Sequence, residues 1–242
     1  MHYNPGMIQD YAVKHNDSLL KKQFDLLICM KLSVLIDTMS PHLFLSKSKS
    51  AGEIIREIIS AYISSSEETM FGDWLEGLAI YINEKVYSGW KSGIKGVDLE
   101  FDNNGKRCIV SIKSGPNWGN SSQTAKMISD FKSAQKTLRT SNSQMDIICV
   151  NGCCYGKDNN PDKGIYYKYC GQRFWEFIGG DENIYTDIIE PLGHKAKEKN
   201  EEYLEKYSQM INRFTKEFIE LFCDNNGKIL WKELVKYNSG KK

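Results

Sequence analysis

A chain of 242 residues that is 40% hydrophobic and 12% aromatic can bury one substantial core, or one core with a helical appendage. Its net charge of +1 neither demands nor forbids a polyanionic partner, and no run of about 18 apolar residues offers a membrane span. The Met1-His2-Tyr3-Asn4-Pro5-Gly6 start lacks a signal-peptide pattern, and seven irregularly spaced cysteines predict free thiols in a reducing cytoplasm.

Residues 8–38 and 50–66 read as helices, separated by a break at Ser40-Pro41-His42 and the Ser/Lys-rich Ser46–Ser50. Ile54, Ile55, Ile58, Ile59 and Ile63 keep the 3,4 spacing of one buried stripe. A third helix is expected after Ser64-Ser65-Ser66-Glu67-Glu68, carrying Phe71, Trp74, Leu75, Leu78, Ile82 and Val86. Glu76 lies on it, directly beyond the apolar Trp74-Leu75 pair.

The stretch from Gly96 to Lys113 predicts a β-hairpin. Asn104-Gly105 suits a two-residue turn because both positions tolerate positive φ. Counting outward pairs Asn103 with Lys106, Glu100 with Ile109 and Asp98 with Ser111, with Lys113 diagonal to Asp98. Alternation puts Val97, Leu99, Phe101, Cys108, Val110 and Ile112 on the opposite, apolar face. Paired side chains sit about 5 Å apart and diagonal ones roughly 7 Å, so a cation on Asp98 lies within reach of a water that Lys113 also touches. The same spacing fits a half-exposed hairpin with solvated charges. The polar loop that follows, Ser114-Gly115-Pro116-Asn117-Trp118-Gly119-Asn120-Ser121-Ser122-Gln123, suits a site that handles a phosphate.

A helix is expected over residues 121–139, with Met127, Phe131, Ala134 and Leu138 on one face. Met145–Val150 reads as a buried strand, and Ile165–Tyr169 as a further one. Hairpin, crossover helix and strand together predict an α/β class, a mixed α+β sheet flanked by helices. The C-terminal part is helical, with an apolar seam at Leu204, Tyr207, Ile211, Phe214, Phe218 and Leu221. The whole is expected to form a single domain: a helical part over 1–66, a core over 67–180 and a second helical part over 181–242. Cys153, Cys154, Cys170 and His194 lack the spacing of a structural zinc site. Between Lys85 and Arg139, ten bases face four acids, a local surplus that suits a DNA-facing surface as well as solvated helix faces.

Asp98 followed by a lysine at the end of the next strand resembles the PD-(D/E)xK nuclease core. The wider context is similar to the type II restriction endonucleases of that superfamily. Thr69-Met70-Phe71-Gly72-Asp73-Trp74-Leu75-Glu76 resembles a helix that donates an extra acid in such enzymes. Ile112-Lys113-Ser114-Gly115-Pro116-Asn117-Trp118-Gly119-Asn120-Ser121 is similar to a loop after the catalytic lysine. Cys170-Gly171-Gln172-Arg173-Phe174-Trp175-Glu176-Phe177-Ile178-Gly179-Gly180-Asp181 is similar to the same group's C-terminal half. Ser111 stands where the middle acid belongs, so a carboxylate is expected from Glu76, then Glu100, then Asp130.

The resemblance implies a Mg²⁺-dependent enzyme, with Mn²⁺ as a substitute, that hydrolyses double-stranded DNA at a short specific sequence. Asp98, Lys113, Ser111 and Glu76 would be catalytic, with Asp98, Glu76 and Glu100 as metal ligands. DNA contacts are expected from Asn117, Asn120, Ser121, Ser122, Gln123, Gln172 and Arg173, whereas Trp118, Phe174 and Trp175 suit packing. A homodimer and a cognate DNA methyltransferase follow from the same likeness. The alternatives are a structure-specific repair or recombination nuclease of this fold and a DNA-binding protein whose site has decayed.

Overall fold

The hairpin forms around Asn104 (φ 51°) and Gly105 (φ 75°), in a computed structural model that describes residues 2–46, 50–141, 144–189, 191 and 200–241. It joins β2 (Leu99–Asn103) to β3 (Lys106–Lys113), with Asn103 opposite Lys106 and Glu100 opposite Ile109. The ladder closes at Leu99 and Val110. Asp98 stands just outside it, and its N–H donates to the Val110 carbonyl at 2.8 Å. The direct Asp98–Ser111 pairing expected from the turn is therefore offset by one residue.

A short strand absent from the sequence reading, β1 (Trp90–Lys91), adds antiparallel to β2. On the other side, α5 (Ser121–Ser141) crosses over to β4 (Ile147–Cys153), parallel to β3, and β5 (Tyr167–Cys170) is parallel to β4. Among the described residues these strands make one mixed sheet in the order β1-β2-β3-β4-β5. Lys113 lies beside Cys153, and Cys153 beside Cys170, so the three parallel strands end in line. The last two strands run later than Met145–Val150 and Ile165–Tyr169.

Both faces of the sheet are covered, as expected of a sheet flanked by helices, so the hairpin is not half-exposed. Ile109, Ile147 and Cys149 pack against Met127, Phe131 and Ala134 of α5. Glu100 and Ser111, on that side, are buried. Val97 also joins this cluster instead of following Leu99. It lies in a turn closed by its N–H on the Ile94 carbonyl, before strand alternation begins. The other face is covered by α6 (Gln172–Gly179) and the C-terminal part of α4 (Ala51–Tyr87). Phe177 packs on Phe101 and Tyr169, and Tyr87 stacks on Phe101 with centroids 5.5 Å apart.

The chain divides into two compact units, Met1–Asp17 with Met70–Lys195 and Ser18–Thr69 with Ala196–Lys242. The first holds the sheet and α7 (Ile184–Asp187). The second is helical: α8 (Asn200–Phe222) and α9 (Trp231–Ser239) join residues from the N-terminal helices. The predicted 8–38 helix is divided into α1 (Gly6–Cys29) and α2 (Leu32–Thr38), and α3 (Pro41–Leu45) follows the Ser40 break.

No break occurs at Ser64–Ser66, where α4 runs on. Ser66 Oγ and Thr69 Oγ1 donate to the Tyr62 and Ser65 carbonyls, so the hydroxyls are satisfied within the helix. The isoleucine stripe is buried as expected, against Phe214 and Phe218 of α8. Leu204 and Leu221 are exposed, however, and Met210 and Phe222 take the core positions. Five cysteines are buried free thiols, whereas Cys29 is exposed and Cys223 partly so. His194 and residues 47–49 lie outside the described residues. Among the described residues no helix is long and apolar enough to cross a membrane.

Gly152 lets β4 and α6 approach closely, because a Cβ there would overlap the Phe174 ring. Gly152→Ala is expected to lower stability by about 1–3 kcal/mol in urea denaturation. Adding Phe174→Leu should recover part of the loss; no recovery would place the strain elsewhere.

Candidate active site

Asp98 is held from two directions. Its Oδ2 accepts the Ile112 N–H at 2.7 Å and lies 3.5 Å from Ser111 Oγ. The Lys113 ammonium is 3.7 Å from the same oxygen and donates to the Ile112 carbonyl at 2.8 Å. Acid and amine thus share one cleft at the end of β3, although Asp98 sits beyond the ladder.

Glu76 approaches from α4. Gly72, one turn earlier, sets that approach: a Cβ there would come within 2.5 Å of Ser114 Oγ, in the residue after Lys113. Tyr11 pins the same turn from the other side, its hydroxyl donating to the Trp74 carbonyl at 3.3 Å and its ring edge-on to Trp74. The Lys91 ammonium lies 3.7 Å from Glu76 Oε1. Lys91 and Tyr11 were not singled out by the sequence: β1 is only two residues long, and Tyr11 reaches Trp74 across 63 positions.

Burial pushes the Glu76 carboxyl above its ordinary value, and the Asp98 charge adds to the rise. Lys91 and Lys113 act in the opposite direction, and Asp73 adds a smaller push upward. Burial, with the Glu76 charge behind it, also pushes the Tyr11 hydroxyl up to about 12. Two carboxylates that repel each other across a partly buried cleft, with a backbone carbonyl nearby, form the oxygen-rich donor set a hard divalent cation prefers. Among the described residues there is no cluster of three or more His, Cys, Asp or Glu placed to cage a metal. Mg²⁺ commonly binds through only one or two protein carboxylates, so Asp98 and Glu76 fit it.

The loop after Lys113 is anchored at several points. Tyr155 N–H donates to the Ser114 carbonyl at 3.1 Å, and Lys168 Nζ donates to the Pro116 carbonyl at 2.9 Å. Trp118 Nε1–H donates to Asn151 Oδ1 at 3.0 Å. Asn151 is buried, and its Nδ2 donates to the Ser111 carbonyl at 3.3 Å. Asn151 was missed because an asparagine in the apolar Ile147–Cys153 run carries no local signal of its partners.

Other expected residues are engaged elsewhere. Glu100 accepts from Ser92 Oγ at 2.7 Å and faces Arg107 at 3.5 Å, and the Arg107 guanidinium is further bound by Asp102 and stacked on Trp90. Glu100 is thereby engaged in an ion-pair cluster with Arg107. Asp130 pairs with Lys126 at 3.0 Å and abuts Gly96. Asn120 and Gln123 form a reciprocal capping box on α5: each side chain accepts the other's backbone N–H, at 2.9 and 3.0 Å. Their side chains are therefore occupied as helix caps.

Asn117, Ser121 and Ser122 are exposed beside that helix start. Gln172 Nε2 donates to the Glu182 carbonyl at 3.3 Å, and Arg173 is exposed on α6, lining a groove with Tyr167 and Tyr169.

Residues 7–200 match the family described as type II restriction endonuclease EcoO109I. No curated protein matches the chain.

Glu76→Gln is expected to raise the denaturation midpoint at neutral pH. An acid whose folded value is raised favours the folded state while protonated, and that contribution is lost as pH climbs through the folded value. The gain should therefore fade as pH falls through the raised folded value and be gone below about 4.3, the ordinary glutamate value. Midpoints measured across pH check this, and a gain of equal size in acid would refute it.

Proposed function

We propose, for a chain that belongs to the EcoO109I family of type II restriction endonucleases, that Asp98, Glu76 and Lys113 form a Mg²⁺-dependent centre cutting double-stranded DNA at a short specific sequence. Membership makes the chain a DNA-cleaving hydrolase, a type II site-specific deoxyribonuclease. The observation that carries the residue assignment is the meeting of the Lys113 ammonium and the Asp98 carboxylate at 3.7 Å, with Glu76 close enough for its titration to feel both charges.

Asp98 and Glu76 hold the divalent cation. When bound, that ion neutralises charge on the scissile phosphate and makes a coordinated water more acidic. Ile112 N–H fixes Asp98 Oδ2, so the carboxylate is aimed before any ligand arrives. Lys113 binds the attacking water and offsets charge building on the phosphate oxygens. Ser111 supplies no carboxylate; its hydroxyl faces Asp98, which leaves Glu76 to complete the acidic pair. Lys91 stands over Glu76, where its exposed ammonium can meet the DNA backbone. The products carry 5′-phosphates and 3′-hydroxyls.

Asn117, Ser121 and Ser122 lead the DNA contacts, because they surround the N-terminus of α5, where N–H groups favour phosphate. Asn120 and Gln123 reach DNA only by opening their capping box. Gln172 and Arg173 contact it from α6. The chain works as a single nuclease domain with its core over 67–180, as a homodimer on a two-fold target, alongside a methyltransferase that protects the same sequence.

Sequencing the ends of plasmid DNA digested in Mg²⁺ tests this. Discrete ends sharing one short sequence are expected, abolished by a chelator. Asp98→Asn and Lys113→Ala should each lose on the order of 10³-fold in rate. Lys113→Ala should still bind the target in Ca²⁺. Random ends, or cleavage that survives Lys113→Ala, would overturn the proposal.

A further inference from the structure

Lys113 has a neighbour that neither carboxylate accounts for. Its ammonium stands 5.5 Å from the centroid of the Trp118 ring, within cation–π range. The ring is fixed in turn, because Trp118 Nε1–H donates to Asn151 Oδ1. Asn151 pairs with Ser111 in the parallel register, and its Nδ2 donates to the Ser111 carbonyl. One buried amide therefore ties the strand that carries Lys113 to the ring beside its ammonium.

The geometry points to Trp118 and Asn151 as a positioning pair for Lys113, an inference that rests on the nuclease reading. With serine at 111, Asp98 is the acid within 4 Å of the ammonium among the described residues. A lysine stem has four flexible carbons, and confining it costs rotamer entropy. The ring face confines the ammonium electrostatically without a formal charge, so it does not compete for a cation. When Asp98 turns its charge toward a metal, the ring still holds Lys113 in place.

A polar asparagine amid apolar β4 is costly unless its amide is satisfied, and Ser111 and Trp118 satisfy it at both ends. Anchors on Ser114 and Pro116 hold the loop in the free protein, so the ring does not depend on DNA for its place.

The test combines kinetics with NMR on the metal-free, DNA-free protein. In wild type the Lys113 ε-methylene protons should be shifted upfield by the Trp118 ring current, the signal being assigned by its loss in Lys113→Arg. Trp118→Leu should abolish the shift, and Asn151→Ala should reduce it and speed solvent exchange of the Trp118 indole N–H. Trp118→Leu should lower kcat about tenfold with KM for DNA unchanged, and Trp118→Phe should recover most of the loss. Trp118→Leu/Asn151→Ala should be no slower than the slower single variant, since both act through one contact.

An unshifted Lys113 signal, unchanged kcat, or additive losses would overturn the inference. A raised KM with kcat intact would also overturn it, making Trp118 a DNA contact. Failure of the nuclease reading shows separately, as wild type that does not cut DNA, because the NMR shift is read without cleavage.

Discussion

The hydrogen bond from the Ile112 N–H to the Asp98 carboxylate, 2.7 Å long, organises the cleft. Asp98 lies outside the ladder, where its rotamer is not fixed by cross-strand packing. The amide supplies the missing constraint and does so from the residue adjacent to Lys113. Acid and amine are therefore spaced by one stretch of backbone, and the same residue offers its carbonyl to the lysine. Glu76, brought in by α4, adds a second carboxylate beside Asp98, and burial first, then the Asp98 charge, raise its carboxyl above the ordinary value.

The sheet carries this arrangement because it is covered on both sides. Burial on the α5 face leaves little freedom for Ser111 and Glu100, so each polar group there has a partner: Ser111 with Asp98 and Asn151, Glu100 with Ser92 and Arg107. Buried polar groups of this kind are costly unless satisfied, and satisfied they fix geometry. Glycines at 72 and 152 let α4 and α6 approach closely enough for that fixation.

Much of this was legible in the sequence where the signals are local. Asn104-Gly105 dictates its turn, so the register of Glu100 with Ile109 followed directly. The isoleucine stripe at 54–63 repeats at helical spacing, and its burial followed as well. Val97 and Asp98 were misplaced because strand alternation was extended past the point where the ladder ends. The sequence shows the face on which Glu100 lies but not its partner Arg107, which reaches it diagonally across the hairpin. Asn120 and Gln123 suit DNA contacts by type, and their three-residue spacing before a helix is also a capping signal. Asn151, Lys91 and Tyr11 act through contacts distant in sequence, and no periodicity marks such residues.

The alignment of Lys113, Cys153 and Cys170 at the ends of three adjacent parallel strands has an evolutionary consequence. The segments that leave those ends, beginning at Ser114, Cys154 and Gly171, emerge along a common rim beside the cleft. Connecting segments tolerate change better than the strands beneath them. Substitutions along that rim thus change what faces the cleft while Asp98 and Lys113 stay as they are.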